Sequence, residues 1–476
     1  MRYKNDPDGT RLPIKLDSTS NGEYAPIPLQ PIHHKANDHA LKEADRRARY
    51  KGQGRRDFLV SACGAASTLL AFNQANASAG RDGGFHQVSD EAAVDTDAAL
   101  QALGKNEFIF DVQGHYLPPG GHMQKKAGCA EASEALSGDY MACIGAESFK
   151  KDVFLDSDTD MMVLSFVPST PESEPLTIEE ADATRQLIDD MNSRHRLLLH
   201  GRVNPNQPAD IAAMDELAER WGVSAWKCYT QWGPDGEGFY LSDDVGRAFI
   251  EKARSLGVKN IAVHKGIPFG QKSYEHSLCT DIGVVARDYP DVNFLIYHSG
   301  WVPGQAEGPY DPDRGEGIDG LIKSVKDNGL GHHSNVYAEL GSTWRGLMRD
   351  PDSAAHTLGK LITHLGEDNI LWGTDSVWYG SPQDQILAFR TFQLSAELRD
   401  KHGYAEITPE IRAKIFGLNA MKPYGIDIDE VKRRAANDVL ARDRLAYTER
   451  QDPHFLTYGP KTRRQFLDLL KIHPPV

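Results

Sequence analysis

The sequence predicts an α/β protein, a (β/α)8 TIM barrel with a long first loop and a helical C-terminal extension. Three observations support this fold class. Short runs rich in apolar and β-branched residues recur eight times between residues 108 and 372. Helical patterns separate these runs, and such alternation indicates parallel strands joined by crossover helices. The length also fits, because α/β barrels exceed the ordinary domain size as single domains.

The predicted strands can be placed in chain order within a barrel domain that spans residues 107–425. They cover residues 108–112, 161–167, 197–203, 223–229, 259–263, 292–297, 335–340 and 370–372. The first connection, about 116–160, has little periodicity, so we interpret it as a loop-rich lid. After the last strand, Thr408-Pro409 is expected to open a helix that ends near Leu418. Residues 426–476 are predicted to be an extension that packs on the barrel or on a neighbouring subunit.

Residues 1–77 are predicted to be a disordered tail followed by an export signal. Residues 1–53 are polar and lack apolar periodicity. Arg55 and Arg56, a short apolar stretch and a small-x-small end are together typical of a twin-arginine signal with cleavage near Ala77. The alternative is a charged start to an N-terminal helix. Residues 78–106 are interpreted as a linker, and we expect a periplasmic or exported protein that the twin-arginine machinery carries.

Composition limits the partners of the chain. Its 53 Lys and Arg residues against 68 Asp and Glu residues give a net charge of −15, which leaves no basic surplus for the phosphates of nucleic acid. No run reaches the roughly 18 apolar residues that span a bilayer. A small-molecule substrate and a homo-oligomer are therefore expected. The cysteines lack the spacing of a zinc module, and a Cys129–Cys143 disulfide stays open.

The chemistry of such a barrel gathers at the carboxyl ends of its strands. His115 follows the first strand, His264 the fifth, His298 the sixth and Asp375 the eighth. Imidazole and carboxylate groups that converge on one mouth suit one borderline divalent ion, with Zn²⁺ expected first and Mn²⁺ or Fe²⁺ as alternatives. Any one of these histidines alone would more often be a buried structural residue, whereas the set predicts a metal site.

These residues stand in motifs that resemble the amidohydrolase superfamily, in the amidohydrolase-related branch with aminocarboxymuconate-semialdehyde decarboxylase, resorcylate-type decarboxylases and lactone hydrolases. The resemblance covers residues 108–425 and rests on His264 and on the stretches FDVQGHYLP (110–118), YHSG (297–300), GTDS (373–376) and KIFGLNA (414–420). It implies metal ligation by His115, His264 and Asp375. It implies for His298 a role as a further ligand or as a proton donor.

The first-strand motif departs from the pattern of that superfamily. Gln113 stands where the superfamily has the first histidine of His-x-His, or a glutamate in some decarboxylases. An amide oxygen is neutral and a weaker ligand for a borderline ion than imidazole. Gln113 is therefore interpreted as a weak ligand, as an outer-shell residue, or as a sign of loose or absent metal.

Four further side chains are expected at the barrel mouth as substrate-binding candidates: Lys227, Arg202, Glu339 and Trp378. Two-metal members of the superfamily use a carboxylated lysine at the position that Lys227 matches. A plain cation that holds a substrate carboxylate, or a structural lysine, explains Lys227 equally well. Glu339 also fits an outer-shell partner of a ligand or a hydrogen-bonded barrel residue.

Two reactions fit these residues. In the first hypothesis a hydrolase cleaves a small ester, lactone or amide, with Asp375 taking a proton from metal-activated water and His298 assisting. In the second, a decarboxylase protonates an aromatic or enoic acid at carbon and releases CO2. A third hypothesis is a non-catalytic binding protein on a decayed barrel, with Gln113 as its sign. We take hydrolysis as the working hypothesis.

Overall fold

The computed structural model describes residues 6–116, 145–189, 195–233, 236–268, 273–449 and 451–472. Eight parallel strands lie in sequential order, and the edges of the sheet approach through Gly114 and Ser376. The predicted (β/α)8 barrel is thereby confirmed. The strands are β1 (Gly84–His86), β2 (Phe110–Gly114), β3 (Met161–Leu164), β4 (Leu197–Arg202), β5 (Ala225–Tyr229), β6 (Asn260–His264), β7 (Asn293–Tyr297), β8 (Val336–Glu339), β9 (Ile370–Leu371) and β10 (Phe392–Leu394), of which β2 to β9 form the barrel.

Helices precede, surround and follow the barrel. They are α1 (Pro31–Tyr50), α2 (Arg55–Leu59), α3 (Ala62–Ala77), α4 (Thr96–Leu103), α5 (Ala146–Lys150), α6 (Ile178–Ile188), α7 (Pro208–Glu219), α8 (Asp244–Ser255), α9 (Ile282–Asp288), α10 (Gly317–Asp327), α11 (Thr343–Leu347), α12 (Pro351–His364), α13 (Gln383–Thr391), α14 (Ala396–His402), α15 (Pro409–Ala413), α16 (Asn419–Tyr424), α17 (Ile428–Ala435), α18 (Val439–Glu449) and α19 (Arg463–Ile472). Among the described helices, none is both long and apolar enough to cross a membrane. Thr408 caps α15 and Pro409 opens it, as the sequence predicts.

The alternation of side chains along the strands builds two apolar layers. On β7, Phe294 and Ile296 belong to the large core between the strands and the helices, whereas Leu295 and Tyr297 belong to a separate cluster. That second cluster also holds Phe110 and Val112 of β2. Because both faces of each strand are buried, the strands read as nearly continuous apolar runs in the sequence.

The N-terminal segment differs from the predicted disordered tail. Leu12, Ile14 and Leu16 are buried, and residues 31–50 form the helix α1. The buried face of α1 carries alanines at a four-residue spacing, and α1 packs against α3. Alanine faces give only a weak hydrophobic pattern in a sequence, which explains why the helix was not predicted.

Residues 55–106 are also folded onto the barrel. The predicted twin-arginine region forms α2 and α3, and Phe58, Leu69 and Phe72 lie in the large core. Residues 78–106, which the sequence predicts to be a linker, are folded in the structure. They contain β1, which pairs with β10, and the helix α4. Whether the chain carries an export signal with cleavage near Ala77, the last residue of α3, stays a prediction.

The C-terminal extension is helical, as predicted, and meets the N-terminal segment at the barrel mouth. The backbone N–H of Ser20 donates to the carbonyl oxygen of Pro460 at 2.9 Å. The N–H groups of Tyr458 and Gly459 both donate to the carbonyl oxygen of Trp378 at 2.8 Å. Two segments from opposite ends of the sequence therefore cover the carboxyl ends of the strands. Of the predicted lid, residues 117–144 lie outside the described residues, as do Cys129 and Cys143.

Candidate functional site

The carboxyl ends of the barrel strands bring the predicted site residues to one mouth. Gln113 lies in β2 and His115 follows it. Lys227 lies in β5, His264 ends β6, His298 follows β7, Glu339 ends β8 and Asp375 follows β9. All of them are at most 3% exposed. The site therefore consists of ionisable groups that have left water, and each of them needs a partner.

Three histidines at the mouth have their protons directed away from its centre. One ring nitrogen of each faces a backbone carbonyl oxygen, and the three pairs are His115 Nδ1 with Ser165 (3.1 Å), His264 Nε2 with Ile267 (3.1 Å) and His298 Nδ1 with Gly341 (2.7 Å). A carbonyl oxygen only accepts, so the facing nitrogen carries the hydrogen. The second nitrogen of each ring then presents a lone pair, which is the usual arrangement of histidines that bind a metal.

The first group at the mouth consists of His115, Asp375 and Gln113. Asp375 Oδ1 lies 3.2 Å from His115 Nε2 and accepts a hydrogen bond from Gln113 Nε2 at 3.1 Å. The lone pair of a neutral His115 would face a carboxylate oxygen, which is repulsive unless a proton or a cation lies between them. Asp375 Oδ2 accepts from the hydroxyl of Ser342 at 2.5 Å. The Oε1 atom of Gln113 is buried without a hydrogen-bond partner.

The second group consists of His264, His298 and Glu23. His264 Nδ1 and His298 Nε2 are buried and have no hydrogen-bond partner among the described residues. Glu23 offers its two carboxylate oxygens, one 3.8 Å from His264 Nδ1 and the other 4.0 Å from His298 Nε2. One ligand atom from each residue fits within 4.8 Å of the other two, a spacing that could hold a metal ion.

The predicted ligand set is divided between these two groups. Within the described part of the chain, His264 shares no such cluster with His115 and Asp375. The amide Nδ2 of Asn21 joins the groups, because it donates to Asp375 Oδ2 at 2.8 Å and to Glu23 Oε2 at 2.6 Å. Its two hydrogens thus occupy the place between two carboxylates.

Burial sets the protonation of the ring and carboxyl groups. It raises the pKa of Glu23 to about 8, with the charge of Asp375 adding to the effect. Burial lowers the pKa of His298 to about 4 and that of His264 well below its usual value. For Asp375 burial acts to raise the pKa, but the polar groups around the carboxylate, with His115 first among them, outweigh burial and the pKa is lowered. A bound divalent cation would favour the anionic carboxylates and the neutral imidazoles together.

Lys227 lies at the same mouth without a hydrogen bond. Its Nζ atom is buried and unpartnered, 4.0 Å from the ring centre of Tyr297 and 4.4 Å from that of Tyr229. Burial lowers the pKa of Lys227 to about 8, while the charge of Glu23 acts in the opposite direction. A buried ammonium group without a hydrogen-bond acceptor is a ready partner for an anionic ligand.

Glu339 holds the backbone next to the histidines. Its two carboxylate oxygens accept from the N–H groups of His298 at 3.0 Å and Gly341 at 2.5 Å. A Cβ atom at Gly373 would lie 1.6 Å from Glu339 Oε1, so only glycine leaves room for this carboxylate. Of the interpretations open from the sequence, a hydrogen-bonded partner of a site histidine describes these contacts best.

Arg202 and Trp378 lie in different surroundings. The guanidinium of Arg202 is held by Glu174 at 2.9 Å and Asp210 at 2.7 Å, so its contacts lie away from the two groups. Trp378 stacks on the ring of His115 with 6.2 Å between the ring centres. Trp378 therefore lies at the site, whereas Arg202 takes part in a separate ion-pair network.

The backbone at the site is strained. His298, Ser342 and Asp375 have φ angles of 66°, 53° and 56°, in the left-handed region that non-glycine residues seldom occupy. Such conformations persist where the surrounding structure enforces them, and they concentrate at functional sites. The left-handed backbone here aims the His298 and Asp375 side chains into the mouth.

Sequence reasoning missed Asn21 and Glu23, which lie in the predicted disordered tail. The alternation of Leu12, Ile14 and Leu16 with polar residues was a signal for an extended buried segment. Nothing local marks Asn21 or Glu23, because their partners follow hundreds of positions later in the chain.

A second cluster, Asp152, Asp156 and His454, also has the spacing of a metal site. Here the carboxylates already have partners within the protein, because Lys151 pairs with Asp156 and His454 Nε2 lies 3.1 Å from Asp152. Tyr458 also donates to Asp152 at 2.8 Å. We therefore place the candidate metal site at the barrel mouth.

Comparison with solved structures finds matches of low sequence identity. The 2,6-dihydroxybenzoate decarboxylase from Rhizobium shares 13% identity over 67% of this chain and 99% of its own, with a TM-score of 0.38. The 5-carboxyvanillate decarboxylase LigW from Sphingomonas paucimobilis shares 11% identity over 68% of this chain and 100% of its own, with a TM-score of 0.40. Dihydroorotase from Saccharomyces cerevisiae shares 13% identity over 68% of this chain and 86% of its own, with a TM-score of 0.39. TM-scores this low carry no argument about the reaction.

No curated protein matches the chain. The family model described as Amidohydrolase matches residues 150–426, which is more than half of the chain and includes Lys227, His264, His298 and Asp375. The match agrees with the barrel and with the ionisable groups at its mouth. The chain belongs to the amidohydrolase family.

Proposed function

We propose that the protein is a metal-dependent hydrolase of a small cyclic or aromatic ester, lactone or amide. One observation carries the proposal: three buried histidines with protons fixed outward present lone pairs at the same barrel mouth as the carboxylate of Asp375, which lies 3.2 Å from His115. The amidohydrolase superfamily generally uses a divalent metal, and such a donor set suits a borderline ion. Zn²⁺ is the first expectation, with Mn²⁺ and Fe²⁺ as alternatives.

The residues proposed to hold the ion are His115, His264 and Asp375, with His298 as a further candidate, and in this structure they stand in the two groups described above. Their fit rests on the unpartnered nitrogens of His264 and His298 and on the close approach of His115 to Asp375. When bound there, a divalent ion supplies a Lewis acid that polarises a carbonyl group and lowers the pKa of water.

Asp375 is the proposed proton acceptor. Ser342 and Asn21 donate to its Oδ2, which leaves Oδ1 towards His115 and Gln113. The carboxylate takes the proton of the attacking water and returns it to the leaving oxygen or nitrogen. His298, whose backbone Glu339 fixes, presents Nε2 to the same space and can relay that proton.

Lys227 is the proposed partner of an anionic substrate group. Its replacement by methionine keeps most of the side-chain bulk and removes the charge. We expect the KM for a carboxylate-bearing substrate to rise about 10- to 100-fold, because a charged hydrogen bond contributes roughly 1.5–3 kcal/mol. The KM for a neutral substrate should change little.

The comparison with exposed Lys259 controls for a general charge effect. Lys259 pairs with Asp291 at 3.0 Å on the surface, so Lys259→Met should leave both KM values unchanged. Equal KM increases for charged and neutral substrates in Lys227→Met would contradict an anion-binding role.

Decarboxylation is the second candidate, and the unpaired ammonium of Lys227 favours it. His298 or Asp375 would first take up a proton from water and pass it to the carbon that carries the substrate carboxylate, and the bond between that carbon and the carboxylate would then break. The electron pair of that bond returns to the ring, and CO2 leaves. Lys227 would hold a substrate anion in either reaction.

A substrate screen of the Zn²⁺- and Mn²⁺-loaded protein tests the proposal. Lactones, aryl esters and amides are offered beside hydroxybenzoic acids, with acid release and CO2 release measured separately. Hydrolysis that is lost in Asp375→Asn supports the hydrolase. CO2 release without hydrolysis establishes the decarboxylase instead. Tight metal binding with no turnover of either set would favour a non-catalytic binding protein.

A further inference from the structure

The segment that carries Glu23 is firmly held over the barrel mouth. Asp17 is buried and forms an ion pair with Arg345. Lys15 is also buried and pairs with Asp384 at 3.3 Å. Arg345 also donates to the carbonyl oxygen of Lys15 at 2.7 Å. These contacts lie within eight residues of Glu23 along the chain, so the carboxylate reaches the site from an anchored backbone.

Glu23 faces two ring nitrogens that offer it no hydrogen. His264 and His298 direct their N–H groups to carbonyl oxygens, and the nitrogens nearest Glu23 have no hydrogen-bond partner. Two ring nitrogens and a carboxylate, all electron-pair donors, therefore face one another. The side chains of His264 and His298 are 0% exposed and that of Glu23 is 10% exposed. A group of this kind, removed from water, is stabilised by a cation between its members.

The spacing suits one ion. Two atoms that each bind an ion at about 2.1 Å are at most about 4.2 Å apart. The oxygens of Glu23 lie 3.8 Å from His264 Nδ1 and 4.0 Å from His298 Nε2. The carboxylate is also oriented from behind, because Tyr229 donates to Oε1 at 3.3 Å and Asn21 to Oε2 at 2.6 Å. Such outer hydrogen bonds are typical of metal-binding carboxylates.

We propose that Glu23 is a metal ligand, supplied by the N-terminal segment in place of the missing first-strand ligand at Gln113. The amide of Gln113 donates to Asp375 and is neutral, so it adds no negative charge to the centre. Glu23 therefore brings a carboxylate charge to the lone pairs of His264 and His298. This inference rests on the proposed function, since it assigns a further ligand to the same centre.

The test measures metal binding by the full-length protein rather than turnover. Glu23→Gln keeps the shape of the side chain and removes its charge, and Glu219→Gln on the exposed face of α7 is the matched control. After chelation and dialysis, each protein is titrated with Co²⁺, with the visible absorption bands recorded, and the Zn²⁺ affinity is measured by chelator competition. Thermal melts of the metal-free proteins confirm folding.

We expect Glu23→Gln to bind Zn²⁺ at least about 10- to 100-fold more weakly, because even the loss of a residue that only hydrogen-bonds to a metal ligand costs that much affinity. The Co²⁺ absorption bands should also shift. Glu23→Asp, which keeps the charge with a shorter reach, should recover part of the affinity, and Glu219→Gln should match the wild type. Unchanged affinity and bands in Glu23→Gln would overturn the proposal, whatever the activity.

The proposed function fails by a different result. If the wild type binds neither Co²⁺ nor Zn²⁺, both proposals fall. If His264→Ala loses the metal and Glu23→Gln retains it, the metal centre stands and only the assignment of Glu23 is wrong. Should Glu23→Gln not fold, the Co²⁺ spectrum of the folded Glu23→Asp decides, because a ligand that moves must change it.

Discussion

Replacing Asp375 by asparagine is expected to lower kcat by about 10²- to 10⁴-fold, the usual contribution of a general base. Asparagine has nearly the same shape but cannot accept a proton. It also places an N–H₂ group either towards His115 and Gln113 or towards Ser342 and Asn21. The rate constants of wild type and variant are compared with a substrate found in the screen, at saturating metal.

Ser342→Ala is the matched control for Asp375→Asn. It removes one hydrogen bond to Asp375 Oδ2 and leaves the carboxylate in place. We expect a loss of kcat below about 100-fold, because one hydrogen bond to a charged group contributes roughly 1.5–3 kcal/mol. If Asp375→Asn loses no more kcat than Ser342→Ala does, Asp375 is not the proton acceptor.

Removal of residues 1–77, the product of the predicted cleavage, is expected to leave a chain that does not fold stably. The deletion removes α1, α2 and α3 and uncovers the part of the core that Leu12, Ile14, Phe58, Leu69 and Phe72 fill. Each such side chain contributes roughly 1.5–3 kcal/mol by burial, and typical stabilities are only about 5–15 kcal/mol. Circular dichroism melts of the full and shortened chains measure the effect.

The same deletion separates two accounts of the N-terminal region. The sequence predicts a twin-arginine signal that ends near Ala77, whereas in the structure this region forms part of the core and places Glu23 at the site. Mass spectrometry of the protein isolated from its native compartment gives the N-terminus directly. A stable, metal-binding chain that starts at Ser78 would contradict the structural role of the segment and the assignment of Glu23.

A shorter deletion controls for the loss of bulk. Removing residues 463–476 deletes α19, where Leu469 is the one buried side chain among residues 463–470. We expect a much smaller drop in melting temperature than for the N-terminal deletion. A similar drop for both would show that the chain tolerates no shortening and that the N-terminal contacts have no special weight.

The barrel and most of its mouth could be predicted from the sequence, because both depend on local patterns. Buried parallel strands give continuous apolar runs, and in a barrel the residues that follow them share one end. His115, His264, His298 and Asp375 are found at the mouth on this basis. The division of the ligands into two groups is different, since it depends on distances that no pattern encodes.

The N-terminal contribution could not be predicted, for a physical reason. Asn21 lies 354 positions before its partner Asp375, and its segment is stabilised by tertiary contacts such as the buried pair of Asp17 and Arg345. A polar segment with alanine-faced helices lacks the strong periodicity that marks an amphipathic element. Its composition therefore resembles that of a disordered tail.

The most direct test of the account is the metal content of the full-length protein, purified without added metal or chelator, beside His264→Ala. Elemental analysis should find about one divalent ion per wild-type chain and little in the variant, since among the described residues at the mouth only Glu23, His264 and His298 have the spacing of a metal site. Two ions per chain would make Lys227 a candidate bridging ligand. No metal in the wild type after incubation with Zn²⁺ and Mn²⁺, or equal metal in both proteins, would contradict a metal centre at His264.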